Sequence, residues 1–174
     1  MAKILNQGGV IWLTGLAGSG KSYIAQALYE KLRENFNYII HLDGDAFREL
    51  LGHFGYEKQE RIKVSLKKAQ FAHFLSSQGM IVIVSAISMF KECYEYNRKN
   101  LKNFFEIYIQ CDFEELLKRD KKGLYSGALN AKIQNVVGVD IKYDEPKPDL
   151  IINNTHFGML DEKIQIIIKA LEKN

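Results

Sequence analysis

The chain has 174 residues, the length of one domain, here expected over 1–174, with a core large enough to need no disulfide or metal staple. With 47% hydrophobic and 26% charged residues it is neither a disordered tail nor a fibrous repeat, and a net charge of +3 is too small for a duplex-DNA-binding face. Cys93 and Cys111 lack CxxC spacing and His41, His53, His73 and His156 form no ligand cluster, so the histidines read as packing or surface residues and a reducing cytoplasm as the setting.

Lys3 and the apolar run at 10–13 loosely resemble a secretory leader, but the run is far too short and Lys21 follows at once. No window approaches the roughly 18 apolar residues of a membrane span. Residues 10–14 read as a buried strand. Residues 21–36 read as a helix, with Ile24, Ala25, Ala27, Leu28 and Leu32 at helical spacing. A second strand is expected at 38–42. A long helix follows at 59–78, its apolar positions Ile62, Leu66, Ala69 and Ala72 together with Val64, Phe71 and Leu75. Strands are expected at 80–84, 104–109 and 150–152. A helix is expected at 112–119, with Asp112 and Glu115 as a capping box, and another at 164–171. Short, continuous apolar strands separated by helices predict an α/β fold with five parallel strands covered on both faces. Ligands in such folds sit beyond the C-terminal strand ends, here just after Thr14, Leu42, Val84 and Ile109.

Immediately after the first strand, GLAGSGKS at 15–22 matches GxxxxGK[ST] without exception. Gly15, Gly18, Ser19 and Gly20 let successive backbone N–H groups turn toward one anion, and the following helix adds its positive N-terminal end. Lys21 reaches the β- and γ-phosphates of a nucleotide, and the Ser22 hydroxyl holds Mg²⁺. ATP and Mg²⁺ are thus the expected cofactors. There is no guanine-reading NKxD; Asn153-Asn154-Thr155-His156 comes nearest and fails. The length suits a small phosphate-loop kinase better than a motor.

The second strand runs into DGDAFR at 43–48. A kinase needs one carboxylate to orient the acceptor hydroxyl and take its proton, and others near the metal waters. Asp43 and Asp45 sit where both are needed, and Arg48 is placed for an anionic acceptor.

With GYEKQER at 55–61, IVIVSAIS at 81–88, RDKKGLY at 119–125 and VGVDIKYDEP at 137–146, nearly the whole chain resembles the adenylylsulfate kinases. These transfer the γ-phosphate of ATP to the ribose 3′-hydroxyl of adenosine 5′-phosphosulfate. The resemblance implies a three-layer phosphate-loop kinase with a helical lid at about 119–146. It assigns Asp45 to the 3′-hydroxyl, with Asp43 beside the metal waters, and leaves open which of them is the base. Arg48 and Arg61 grip the acceptor's anionic groups, Tyr56 stacks on its base, and Ser88 lies near the phosphoryl path. Arg119 lies against the ATP base, Lys122 belongs to the lid, and Ile87 and Val136 complete the acceptor pocket. Relatives often pair, so a homodimer is one expectation; the partner is a small nucleotide, with no nucleic acid and no membrane.

The chain departs from that pattern on the acceptor side. Ala46 and Val64 stand where the family usually has Asn, Val136 replaces a stacking aromatic, and Ala86 replaces another aromatic. Losing one face of a base stack costs about 1–3 kcal/mol. The departures point to a different acceptor, cytidine diphosphoramidate, used by a branch of the family in capsule biosynthesis. Adenylylsulfate is the alternative, and a catalytically silent nucleotide-binding scaffold is an alternative of another class.

Overall fold

The structure is a computed structural model describing residues 3–52, 55–156 and 158–173; His53, read above as a packing or surface residue, lies outside the described residues. A short helix α1 (Lys3–Gln7) leads into β1 (Gly9–Thr14), which is buried throughout. There follow α2 (Lys21–Arg33), β2 (Ile39–Asp43), α3 (Gly44–Leu50), α4 (Lys58–Ser76) and β3 (Ile81–Ala86). After these come α5 (Lys91–Asn100), β4 (Phe104–Gln110), α6 (Phe113–Arg119) and a 3₁₀ turn (Lys121–Gly123). The chain ends with α7 (Leu124–Leu129), β5 (Leu150–Asn153) and α8 (Leu160–Lys173).

The five strands form one parallel sheet in the order β2-β3-β1-β4-β5, with Val10 opposite both Val82 and Phe104. The strands alternate faces, so Ile11, Leu13, Ile83 and Ile107 pack on Ile24 and Leu28 of α2 and Ile164 and Ile167 of α8. Val10, Trp12, Val82 and Val84 pack on Ala69 and Ala72 of α4. Burial on both faces is why these strands read as unbroken apolar runs. β1 lies between β3 and β4, and the chain passes from β1 to the edge strand β2 on one side before crossing back to β4 on the other, so the winding direction switches here and a crevice opens at the C-terminal strand ends. A further cluster of Leu16, Phe90, Leu116, Tyr125 and Val136 packs the segment after α6 against that end. Among the described residues no helix is long and apolar enough to cross a membrane.

The expected capping box does not form. Asp112 is the N-cap of α6 without a side-chain cap bond, while Glu115 pairs with Arg119 and Lys118. The Asp112 amide that Glu115 would have to reach already donates to Thr155 Oγ1 at 3.1 Å, which leaves the Glu115 carboxylate to the cations one turn on. Phe71, expected on the buried stripe of α4, is instead 37% exposed and tilts against Phe47 at 5.6 Å. Ser65 and Lys68 take the buried positions. Helices α1, α3, α5 and α7 carry no apolar stripe long enough to announce them; in α5 only Cys93 and Asn97 are buried.

Candidate active site

The phosphate loop folds as its glycines require. Gly15 has φ +153°, and a Cβ there would stand 2.5 Å from the Ile109 carbonyl oxygen. Gly20, with φ +97°, caps α2, and a Cβ there would run into the Asn154 side-chain amide. Lys21 is buried and its Nζ donates to the Leu16 carbonyl at 2.7 Å, so it lies folded along the loop. Ser19 is buried, and among the described residues its hydroxyl has no hydrogen-bond partner.

Asp43 stands at the junction of β2 and α3. Its Oδ1 accepts from the Asp45 and Ala46 amides as the N-cap of α3, and its Oδ2 accepts from Ser22 Oγ at 2.7 Å and Ser85 Oγ at 3.0 Å. Burial opposes its ionisation, but these four donors hold its pKa down to about 2. Ser85 Oγ in turn faces His41 Nε2 at 3.2 Å, so His41 is a half-buried part of this network; burial lowers its pKa and Asp43 pulls it up. Asp45, one turn into the cleft, is open to solvent, with Lys122 Nζ 3.8 Å from its Oδ2.

A cleft of about 390 Å³ joins these parts. Gly18, Lys21, Ser22 and Asp45 line its phosphate side, and Arg48, Tyr56, Arg61, Val64, Ala86 and Ile87 line the other, with Lys122 at the mouth. The Arg48 and Arg61 guanidiniums lie 4.7 and 5.2 Å from the Tyr56 ring centre. Arg48 also donates to the Gly55 carbonyl, and Arg61 to the carbonyls of Tyr56 and Asn135. Both guanidiniums are thus held in position beside the Tyr56 ring. Asp140 closes the loop that carries Asn135, accepting from the Asn135 and Val136 amides.

The Adenylylsulphate kinase family model matches residues 7–153. The chain belongs to the adenylylsulphate kinase family. It is 60% identical over 162 residues to the cytidine diphosphoramidate kinase of Campylobacter jejuni, covering 93% of this chain and 95% of that protein. Against a probable adenylyl-sulfate kinase of Archaeoglobus fulgidus the identity is 41% over 147 residues, covering 83% and 94%. The structure of the Mycobacterium tuberculosis APS kinase in complex with AMPPNP and APS matches at a TM-score of 0.86 and 33% identity, covering 96% of this chain and 99% of that one. The protein is accordingly an ATP-dependent phosphotransferase.

Three of the positions singled out in the sequence, Ser88, Val136 and Ala46, lie away from the cleft lining. Ser88 does not line the cleft: it is buried, and its Oγ accepts from Trp12 Nε1 at 2.8 Å. A buried indole N–H needs such an acceptor. Ser88→Ala is therefore expected to lower the melting temperature by several degrees while kcat stays within about threefold of wild type, since the loss falls on a buried donor. A kcat loss of a hundredfold at unchanged stability would restore Ser88 to the chemistry. Val136 also lies outside the cleft lining; it is 1% exposed, packed in the cluster beneath, while its neighbour Asn135 lines the cleft. Ala46 is exposed and outside the lining, so only Val64 and Ala86 of the four departures border the cleft.

Arg119 is half-buried, donating to the carbonyls of Gly18, Asn154 and Thr155 and pairing with Glu115. It ties the phosphate loop to the end of β5. Asn154, dismissed in sequence as a failed base-reading motif, donates to the Ser19 carbonyl and accepts from Lys163. Tyr125 adds a third brace, its hydroxyl donating to the Ala17 carbonyl at 2.8 Å. Asn154 follows the fifth strand, the one strand end left out of the list of expected functional positions. Lys68, also missed, is considered below.

Proposed function

We propose that this kinase transfers the γ-phosphate of ATP to the ribose 3′-hydroxyl of cytidine diphosphoramidate. The observation that carries this reading is the 60% identity, over 93% of the chain, to a cytidine diphosphoramidate kinase. Val64 and Ala86 in the cleft wall support it, since they offer apolar contact to a smaller base. Adenylylsulfate is the second reading, favoured by the match to the kinase solved with AMPPNP and APS.

In this reading the loop amides and Lys21 hold the β- and γ-phosphates, and charge developing on the leaving oxygen meets donors already in place. Asp45 receives the 3′-hydroxyl proton as the oxygen bonds to phosphorus and ADP leaves. Asp43 is the weaker base, because its lone pairs are committed to four donors. Ser22 and Asp43 present hard oxygens 2.7 Å apart beside the loop, which suits Mg²⁺. Among the described residues no group of three or more metal-binding side chains exists, so the remaining ligands would be phosphates and water. When bound, the metal neutralises phosphate charge. Arg48 and Arg61 hold the acceptor's anionic 5′ end, and Tyr56 stacks on its base. Segment 119–146 serves as the lid, hinged on Arg119 and Tyr125 and placing Lys122 over Asp45.

The test is kcat/KM for each acceptor under saturating Mg-ATP, because that ratio measures discrimination in the transition state. Cytidine diphosphoramidate is expected to exceed adenylylsulfate by at least about tenfold. A higher value for adenylylsulfate returns the enzyme to sulfate activation.

A further inference from the structure

Lys68 lies on the cleft floor, on the α4 face that also carries Arg61, Val64 and Ser65. It is 3% exposed, and among the described residues its ammonium has neither a hydrogen bond nor an ion pair. Its surroundings are the Phe47 ring, 5.7 Å away, and the backbone at Gly44, where a Cβ would stand 3.4 Å from Nζ. Burial pushes its pKa down to about 8; Asp43 and Asp45 oppose that shift and Arg48 adds to it. Asp43 already satisfies four donors, so it leaves the ammonium without a direct partner. Three residues earlier, the Ser65 hydroxyl is buried with no ordinary hydrogen-bond partner, the Cys93 thiol being its neighbour.

A buried ammonium with an aromatic ring but no acceptor, and a buried hydroxyl with only a thiol beside it, both lining one cleft, are costly in the free protein. An apolar side chain at position 68 would fold at lower cost. Arg48 and Lys68 are like charges lining the same cleft, and an anion bound there would offset their repulsion and give the Lys68 ammonium an acceptor. We infer that Lys68, with Ser65, binds the anionic phosphoanhydride end of the acceptor and so determines which 5′ group the enzyme accepts. This rests on the acceptor being a nucleoside 5′-phosphoanhydride, as proposed above.

The experiment compares wild type, Lys68→Met and Lys68→Arg, using whichever of the two acceptors the wild-type enzyme turns over better. For Lys68→Met the acceptor KM is expected to rise about 10- to 100-fold, the range for one lost charge-assisted hydrogen bond, with the KM for ATP within about twofold. The melting temperature should hold or rise, because an unpaired buried charge has been removed. Lys68→Arg, which keeps the charge, should recover part of the acceptor affinity. An unchanged acceptor KM overturns the inference. So does an equal rise in both KM values, or a Lys68→Met protein that melts lower or fails to fold, since each would make Lys68 structural. Failure of the acceptor reading shows in the wild type alone, as preference for adenylylsulfate, and is thereby distinct from failure of the Lys68 inference.

Discussion

Lys21→Met is expected to lower kcat by about 10²–10³-fold or more, the scale for removing one preorganised donor from a developing negative charge. The substitution keeps the buried stem of the side chain and removes only the ammonium. That group now donates to the Leu16 carbonyl, within the same loop whose amides surround the phosphates. It is a point charge held close to where the β- and γ-phosphates bind, so its loss falls on the transition state more than on the fold. The Leu16 carbonyl loses one donor, which costs about 0.5–1.5 kcal/mol. Steady-state kinetics with a parallel thermal melt separate the two effects. A folded variant with near wild-type kcat would show that the loop acts without its lysine.

Asp45→Asn should reduce kcat by about 10²–10⁴-fold and leave the KM for ATP within a few-fold. The amide keeps the shape but cannot take the proton of the attacking hydroxyl. Asp45 lies open in the cleft with Lys122 above it and makes no structural bond from its carboxylate to the backbone among the contacts described, so little stability should be lost. Asp43→Asn should behave differently. Asn caps a helix as well as Asp does, so the loss falls on the bonds to Ser22 and Ser85, where a neutral amide replaces a carboxylate; stability should fall by about 1 kcal/mol and the KM for ATP should rise. If Asp45→Asn raised the ATP KM at unchanged kcat, Asp45 would belong to nucleotide binding and the proton would go elsewhere.

The sheet and the phosphate loop were readable because each depends on local pattern. Residues 10–14 are apolar since both faces of β1 are covered, and Gly15 and Gly20 are glycine since no Cβ fits there. What escaped depends on partners distant in sequence. Ser88 looks like a cleft serine until Trp12, 76 residues away, is found to need its oxygen. Arg119 reads as a contact to the ATP base until the carbonyls of Gly18 and Asn154 are found to take its guanidinium. Lys68 reads as a solvated position on a helix, because nothing in its neighbours announces that α4 turns a polar stripe inward. Val136 reads as a pocket residue until its aliphatic side chain is found packed in the cluster with Leu116 and Tyr125, with Asn135 in the cleft wall beside it.

Arg61, Val64, Ser65 and Lys68 occupy a single face of α4, spaced three, four and seven residues from the first. The phosphate side of the cleft, by contrast, is made largely of backbone amides in one loop. If the acceptor is read on this face as proposed, the loop that holds ATP and a large part of the acceptor pocket are encoded in separate stretches of gene. Point changes within eight consecutive codons would then retune the accepted nucleotide while the phosphate loop stays untouched, giving the scaffold a short mutational route between substrates and a library designer one compact window to randomise.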